Sequence, residues 1–295
     1  MTTNPITFQE VELNLIKNDL SFYTDLVLGL IENKANGTIY FGIAPYLSLF
    51  KCESFKYVLS NYPNLADFLA SSSNLDDVIR TSRMRTKLFD DTSKRIDGMF
   101  DLLEWIRRFN EWHINQHKGL LAPIKRTLQD DFGIFLYNGH VVGSTHTGLF
   151  NLGYEESNFP ATNKDNFKVL GRMSNSFGIE IGEYLGKMNQ LSEFSRGTLN
   201  NFFSYDIENK SLKYKDEKSH KFLRSIFNET NSGEMNLGFL IFLTTINFFK
   251  HILNRLTTAS PIAAFKIKFV ILYHLDSGIR KLQNYYYPSS LSERE

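Results

Sequence analysis

Hydrophobic residues recur at three- and four-residue steps along most of this chain, the period of a helix that buries one face. From Glu10 to Ile31 the stripe is Leu13, Ile16, Leu20, Tyr23, Leu26 and Leu30, and Asn36-Gly37 stops it. The apolar run Thr38 to Ala44 reads as a strand or a helix lead-in that Pro45 ends, and residues 46–70 read as helix interrupted at Asn61 and Pro63. Asn74 or Ser73 caps a helix opening at Leu75-Asp76-Asp77. From Gly98 a long stripe follows, with Leu103, Ile106, Asn110, His113, His117, Leu121, Ile124 and Leu128, and Gly119 and Pro123 predict a kink within it. Further helices are predicted at about Phe167 to Phe194, over 221–228, from Met235 to Leu256, and from Ile262 to about Tyr286.

The period changes between Phe132 and His146. Gly133-Ile134-Phe135-Leu136-Tyr137, then Asn138-Gly139, then His140-Val141-Val142 predicts a β-hairpin, since Asn-Gly suits a type I′ turn. Gly143-Ser144-Thr145-His146-Thr147-Gly148 reads as a glycine-bounded polar loop, residues 154–166 as another loop, and residues around 204–220 as a polar segment. The fold predicted is mainly α: a single large helical bundle of about eight to ten helices with one short β-hairpin near residues 133–146. It is read as one domain over 1–295, with a soft division near 132–166. The run from Leu237 to Phe249 is interrupted by Thr244, Thr245 and Asn247, which suits a central buried helix better than a bilayer span of roughly 20 apolar residues.

Charge narrows the partners. There are 33 Lys+Arg against 32 Asp+Glu, a net +1, which excludes a globally basic nucleic-acid binder and makes nucleic acid an unlikely partner. The six basic residues between Arg80 and Arg95 read as a solvated face. The single cysteine, Cys52, excludes an intrachain disulfide and a Cys-rich zinc site. No secretory leader pattern opens the chain, so the expected location is cytoplasmic. Phe 26 and Tyr 14 against Pro 7 suit long, thickly packed helices.

Candidate chemistry centres on histidine. His113 and His117 stand at i and i+4 on the long stripe, so both imidazoles reach one ion or one flat cofactor; with 7 histidines in the chain, roughly 0.2 such pairs arise by chance. No Glu lies between them, which argues against a zincin-type protease. Gly178, Gly182 and Gly186, after Ser174, repeat every four residues in a predicted helix. Each costs about 1 kcal/mol against Ala there, so the stripe suggests close approach by another helix, a haem face or a lipid-like tail. Arg108 ahead of His113 has the spacing used in HEPN-type ribonucleases, a pattern weak enough to arise about once by chance. Asp76-Asp77, Asp90-Asp91 and Asp130-Asp131, with Asn189-Gln190-Leu191-Ser192-Glu193, are a poor match to the two acidic clusters of an isoprenoid synthase. Glu217 and His220 have the spacing of a di-iron motif, in one copy only. His251 and His274 lie on apolar helices, His274 with the option of axial haem ligation. Ser144, Thr145 and His146, with His140 nearby, would meet the polar part of a substrate.

Two functions follow. The first is an enzyme with a buried histidine-centred site: His113 or His117 binds a haem or non-haem metal ion, and Gly178, Gly182, Gly186 and His274 make room for or hold the cofactor. Its chemistry would be oxidation of a flat or apolar small-molecule substrate. The second is a non-catalytic helical interaction protein, or a ribonuclease module using Arg108 and His113, with the same histidines and glycines serving packing. A homodimer is compatible with both.

Overall fold

The computed structural model describes residues 8–70, 76–87, 132–153, 163–194, 205–227, 233–258 and 260–286. The predicted helix from Gly98, with Arg108, His113 and His117, lies outside the described residues, as do Asp90-Asp91 and Asp130-Asp131.

The helical periodicity becomes α1 (Phe8–Glu32), α2 (Gly37–Asn61), α3 (Pro63–Leu69) and α4 (Asp76–Met84), which ends in a 3₁₀ turn at Arg85–Lys87. After the hairpin strands β1 (Phe132–Tyr137) and β2 (His140–Ser144) come α5 (Thr145–Asn151) and α6 (Asn163–Gln190). Then follow β3 (Leu212–Glu217), α7 (Ser219–Ile226), α8 (Gly233–Phe248) and α9 (Pro261–Tyr286). The described residues thus form a mainly α fold of nine helices and one small antiparallel sheet, ordered β2-β1-β3. Buried residues of α1, α2, β1, α5, α6, α8 and α9 join one hydrophobic cluster, whose fully buried rings include Phe22, Phe132, Phe150 and Phe194.

α2 departs most from the sequence reading. Its N-terminus is fixed by Asn36, whose Oδ1 accepts the Thr38 N–H at 3.0 Å. The helix then runs without a break through Pro45. A proline inside a helix costs about 3 kcal/mol, but burial of each large apolar side chain returns about 1.5–3 kcal/mol. α2 buries Ile39, Phe41, Ile43, Tyr46, Leu47, Phe50, Tyr57 and Val58 along its length. Tertiary burial therefore overrides the local break. The second proline acts as expected: Pro63 occupies the first turn of α3, where its missing N–H costs nothing.

The hairpin is as predicted. Asn138 and Gly139 have φ of 49° and 84°, the pair of positive values a type I′ turn requires. β1 pairs Ile134 with Ser144 and Tyr137 with His140, with a bulge between Phe135 and Leu136. On its other edge β1 pairs with β3, from Phe132 opposite Glu217 to Tyr137 opposite Leu212. The sequence pattern reads this stretch only as a polar segment. β3 is an outer strand whose Lys213, Tyr214, Lys215 and Asp216 are exposed, so it lacks the one-sided apolar alternation that marks a strand.

The predicted polar loop at 143–148 is instead the end of β2 and the start of α5. Ser144 Oγ accepts the Thr147 N–H at 3.0 Å, and Thr147 Oγ1 accepts the Ser144 N–H at 2.7 Å, a reciprocal capping box. Two hydroxyl residues that read as loop chemistry are used to start a helix.

Past Phe248, α8 loosens into a π turn at Phe249–Leu253 and resumes over Asn254–Leu256. The apolar stretch Met235–Leu256 is long enough to cross a bilayer by length and composition alone, yet 56% of its most apolar window is buried inside the fold. Asn247 Nδ2 donates to the Val141 carbonyl at 3.0 Å, tying this helix to the hairpin.

Candidate functional site

The described candidate residues do not converge. Ser144, Thr145 and His146 are 0%, 0% and 3% exposed. Thr145 Oγ1 accepts the Gly133 N–H at 3.2 Å, and the His146 ring packs 4.9 Å from that of Phe132. They close the junction of β1 and α5, out of reach of a solvent-borne ligand. Gly178, Gly182 and Gly186 lie on the exposed side of α6, and a Cβ added at any of them would meet no described atom within 4 Å. No described residue approaches the stripe closely. His274 is half-buried on α9, edge-on to Tyr273 at 5.0 Å.

Close approach at a glycine occurs elsewhere. A Cβ on Gly42 would fall 2.3 Å from the ring of Phe248, so α8 lays that ring directly on the backbone of α2. Beside it, Phe41, Tyr46, Val142 and Gly143 line a cleft of about 20 Å³. That is room for about one water molecule, far below a metabolite site.

Three polar or aromatic features come together only in the folded chain. The first is buried between α2 and α6: Lys51 donates to Glu180 with the two residues 6% and 4% exposed, and the Lys51 ammonium lies 5.5 Å from the Tyr184 ring centre. Tyr184 Oη is 2.8 Å from Ser54 Oγ, and burial pushes the phenol well above its ordinary range. Cys52 follows Lys51 but is half-buried, and burial holds its thiol up despite Arg83 and Lys51, the opposite of what a nucleophile needs. With both charges answered, this cluster locks helices together. No periodicity signals it, because one charged residue in each of two apolar stripes carries no mark of its partner.

The second is a histidine pair. The His140 and His251 rings stack 4.0 Å apart at 11°, joining the hairpin to the π turn. Burial first, then the nearness of His140, Lys250 and Arg255, lowers the His251 pKa from 6.5. Nearly parallel imidazoles direct their lone pairs along separate planes, so this geometry does not converge on one ion. Among the described residues no three His, Cys, Asp or Glu side chains gather in metal-ligand fashion.

The third is the outer face of α9. Ala263, Ile267, Ile271 and Leu275 turn inward and are 3–5% exposed. Lys266 holds Asp19 of α1 at 2.5 Å. Outward, Ile262 is 50% exposed, Phe265 68%, Phe269 60%, Leu272 56%, Tyr273 57% and Ile279 50%. Phe265, Phe269 and Tyr273 stack along the surface at 6.3 and 6.2 Å between successive ring centres. The sequence pattern predicts an apolar helix that closes the fold; half of that apolarity faces outward. Helical spacing places apolar residues of α9 on two opposite stripes, a pattern that by itself reads as a fully buried helix.

Comparison with known proteins adds no relative: no family model matches the chain, and no curated protein or solved structure resembles it at a significant level.

Proposed function

We propose that this chain is a helical interaction protein whose working surface is the outer face of α9. One observation carries the reading: six large apolar side chains, each half or more exposed, form a continuous strip along one helix. Isolated exposed apolar residues are ordinary, but contiguous patches beyond a few hundred Å² mark a surface that meets another body. Three of the six, Phe265, Phe269 and Tyr273, are aromatic, the residue type enriched at the centres of protein–protein interfaces.

The test compares the size of the assembly holding the full chain in an extract of its own cells with that of Phe269→Glu. Phe269 makes its ring contacts with Phe265 and Tyr273 on the surface, so the substitution leaves the fold intact. The wild-type chain is expected in a complex larger than its monomer, and the variant as a monomer. Monomers in both extracts overturn the proposal. A purified protein that is coloured, or that carries stoichiometric metal, would return function to the histidines outside the described residues.

A further inference from the structure

We infer that the stacked His140 and His251 rings form a pH-sensitive latch: neutral, they hold the hairpin against the π turn, and protonated, they release it.

The geometry supplies the latch. His140 opens β2 directly after the Asn138-Gly139 turn, and His251 is the middle residue of the π turn Phe249–Leu253. Their rings lie 4.0 Å apart at 11°, a stack that neutral imidazoles sustain. The contact is at the rim of the fold, with His140 exposed and His251 half-buried, so protons reach both rings from solvent. Behind it, Asn247 Nδ2 donates to the Val141 carbonyl at 3.0 Å, a neutral bond that keeps the base of β2 on α8 when the tip parts.

The electrostatics supply the release. Two charged imidazoles at this separation repel, and solvent screens that repulsion only in part at a protein surface. On the helix that carries His251, Lys250 and Arg255 add positive charge beside it. From β1, Tyr137 faces His140 across the ladder, and the Arg255 guanidinium lies 5.9 Å from the Tyr137 ring centre. From the segment ahead of β3, Asp206 answers Arg255 at 3.3 Å and Glu208 answers Lys210 at 3.5 Å. Among the described residues no carboxylate forms an ion pair with either histidine. Burial first, then His140, Lys250 and Arg255, lowers the His251 pKa from 6.5. The closed stack therefore favours the neutral ring, and by the same linkage protonation favours the open state. The latch is shut above pH 6.5 and opens as pH falls through the lowered value.

Nuclear Overhauser contacts between the ring protons of labelled histidines read the stack in the purified full chain, and amide hydrogen exchange reads the release. The His140–His251 contact is expected at about pH 7.5 and lost at about pH 5. Protection of the Phe249–Leu253 amides, corrected for intrinsic rates, should fall about tenfold over the same range. These amides should exchange well ahead of those of α2, as a local opening requires. His251→Phe keeps a ring against His140 without a proton to gain, and its protection should hold at both pH values. Lys250→Glu supplies an answering charge and should move the opening to lower pH. A ring contact that persists at the lower pH overturns the latch. So does an equal loss of protection in His251→Phe, which assigns the change to other groups, or exchange of the π turn only at the rate of α2, which makes the change a loosening of the whole fold.

Discussion

α2 and α9 are helices of 25 and 26 residues, both apolar around most of their circumference, and they meet opposite fates. α2 is packed from several sides by α4, α5, α6 and α8, tightly enough that Gly42 must lack a side chain and Pro45 can stay helical. Among the described residues α9 packs inward along one stripe and leaves a second stripe uncovered. Apolarity all round a helix demands cover all round. α2 finds it within the chain, and α9 is proposed to find it in a binding partner.

Substitutions that break this contrast are expected to fall in order of burial. Glu180→Leu leaves the Lys51 charge in the α2–α6 contact without its carboxylate and should cost about 3–5 kcal/mol in urea unfolding. Pairing it with Lys51→Met should recover most of the loss. An undiminished loss in the double variant would contradict a role confined to mutual neutralisation. Gly42→Ala forces Phe248 off the α2 backbone, with an expected cost of about 1–3 kcal/mol. A smaller side chain in place of Phe248 should relieve the clash but leave a cavity of its own.

Gly182→Ala on the open side of α6 should instead stabilise by about 1 kcal/mol, read as a raised Tm, since nothing described obstructs the added methyl. No gain would mean that the helix needs its glycines. The His140–His251 stack predicts a smaller dependence on pH. The folded-state pKa of His251 is lowered, so the unfolded chain binds the proton more readily. Its contribution is present above pH 6.5 and lost as pH falls through the folded value. His251→Phe should flatten that part of the Tm-against-pH curve, and an unchanged slope would assign it to other groups. Smallest of all, Phe265→Glu should shift the stability of the isolated monomer by no more than about 0.5 kcal/mol.

The sequence reading reached the elements whose signal is local. Leu20, Leu26 and Leu30 marked α1, and Asn138-Gly139 marked the hairpin turn. Where tertiary contacts decide, local signals misled. Pro45 looked like a terminus because the burial that outweighs its cost comes from distant helices. Ser144 and Thr147 looked like a loop because the same hydroxyls that suit turns also cap helices. β3 was hidden because its polar side chains face solvent and only its backbone joins the sheet.

The candidate site was less legible. His113, His117 and Arg108 lie outside the described residues, while Ser144, Thr145 and His146 are absorbed into packing. The strip on α9 was visible as letters but not as a surface. A helix with two apolar stripes reads from sequence as fully buried, and only its packed neighbours reveal that one stripe is left over.

The most direct test of that surplus is hydroxyl-radical oxidation of Phe265, Phe269 and Tyr273, compared between the intact assembly from its own cells and the diluted monomer. The account predicts rapid oxidation of all three rings in the monomer and protection of all three in the assembly, with Tyr214 on the sheet edge serving as an exposed reference ring. Equal oxidation of the α9 rings in both states would contradict the claim that this face is where the protein binds.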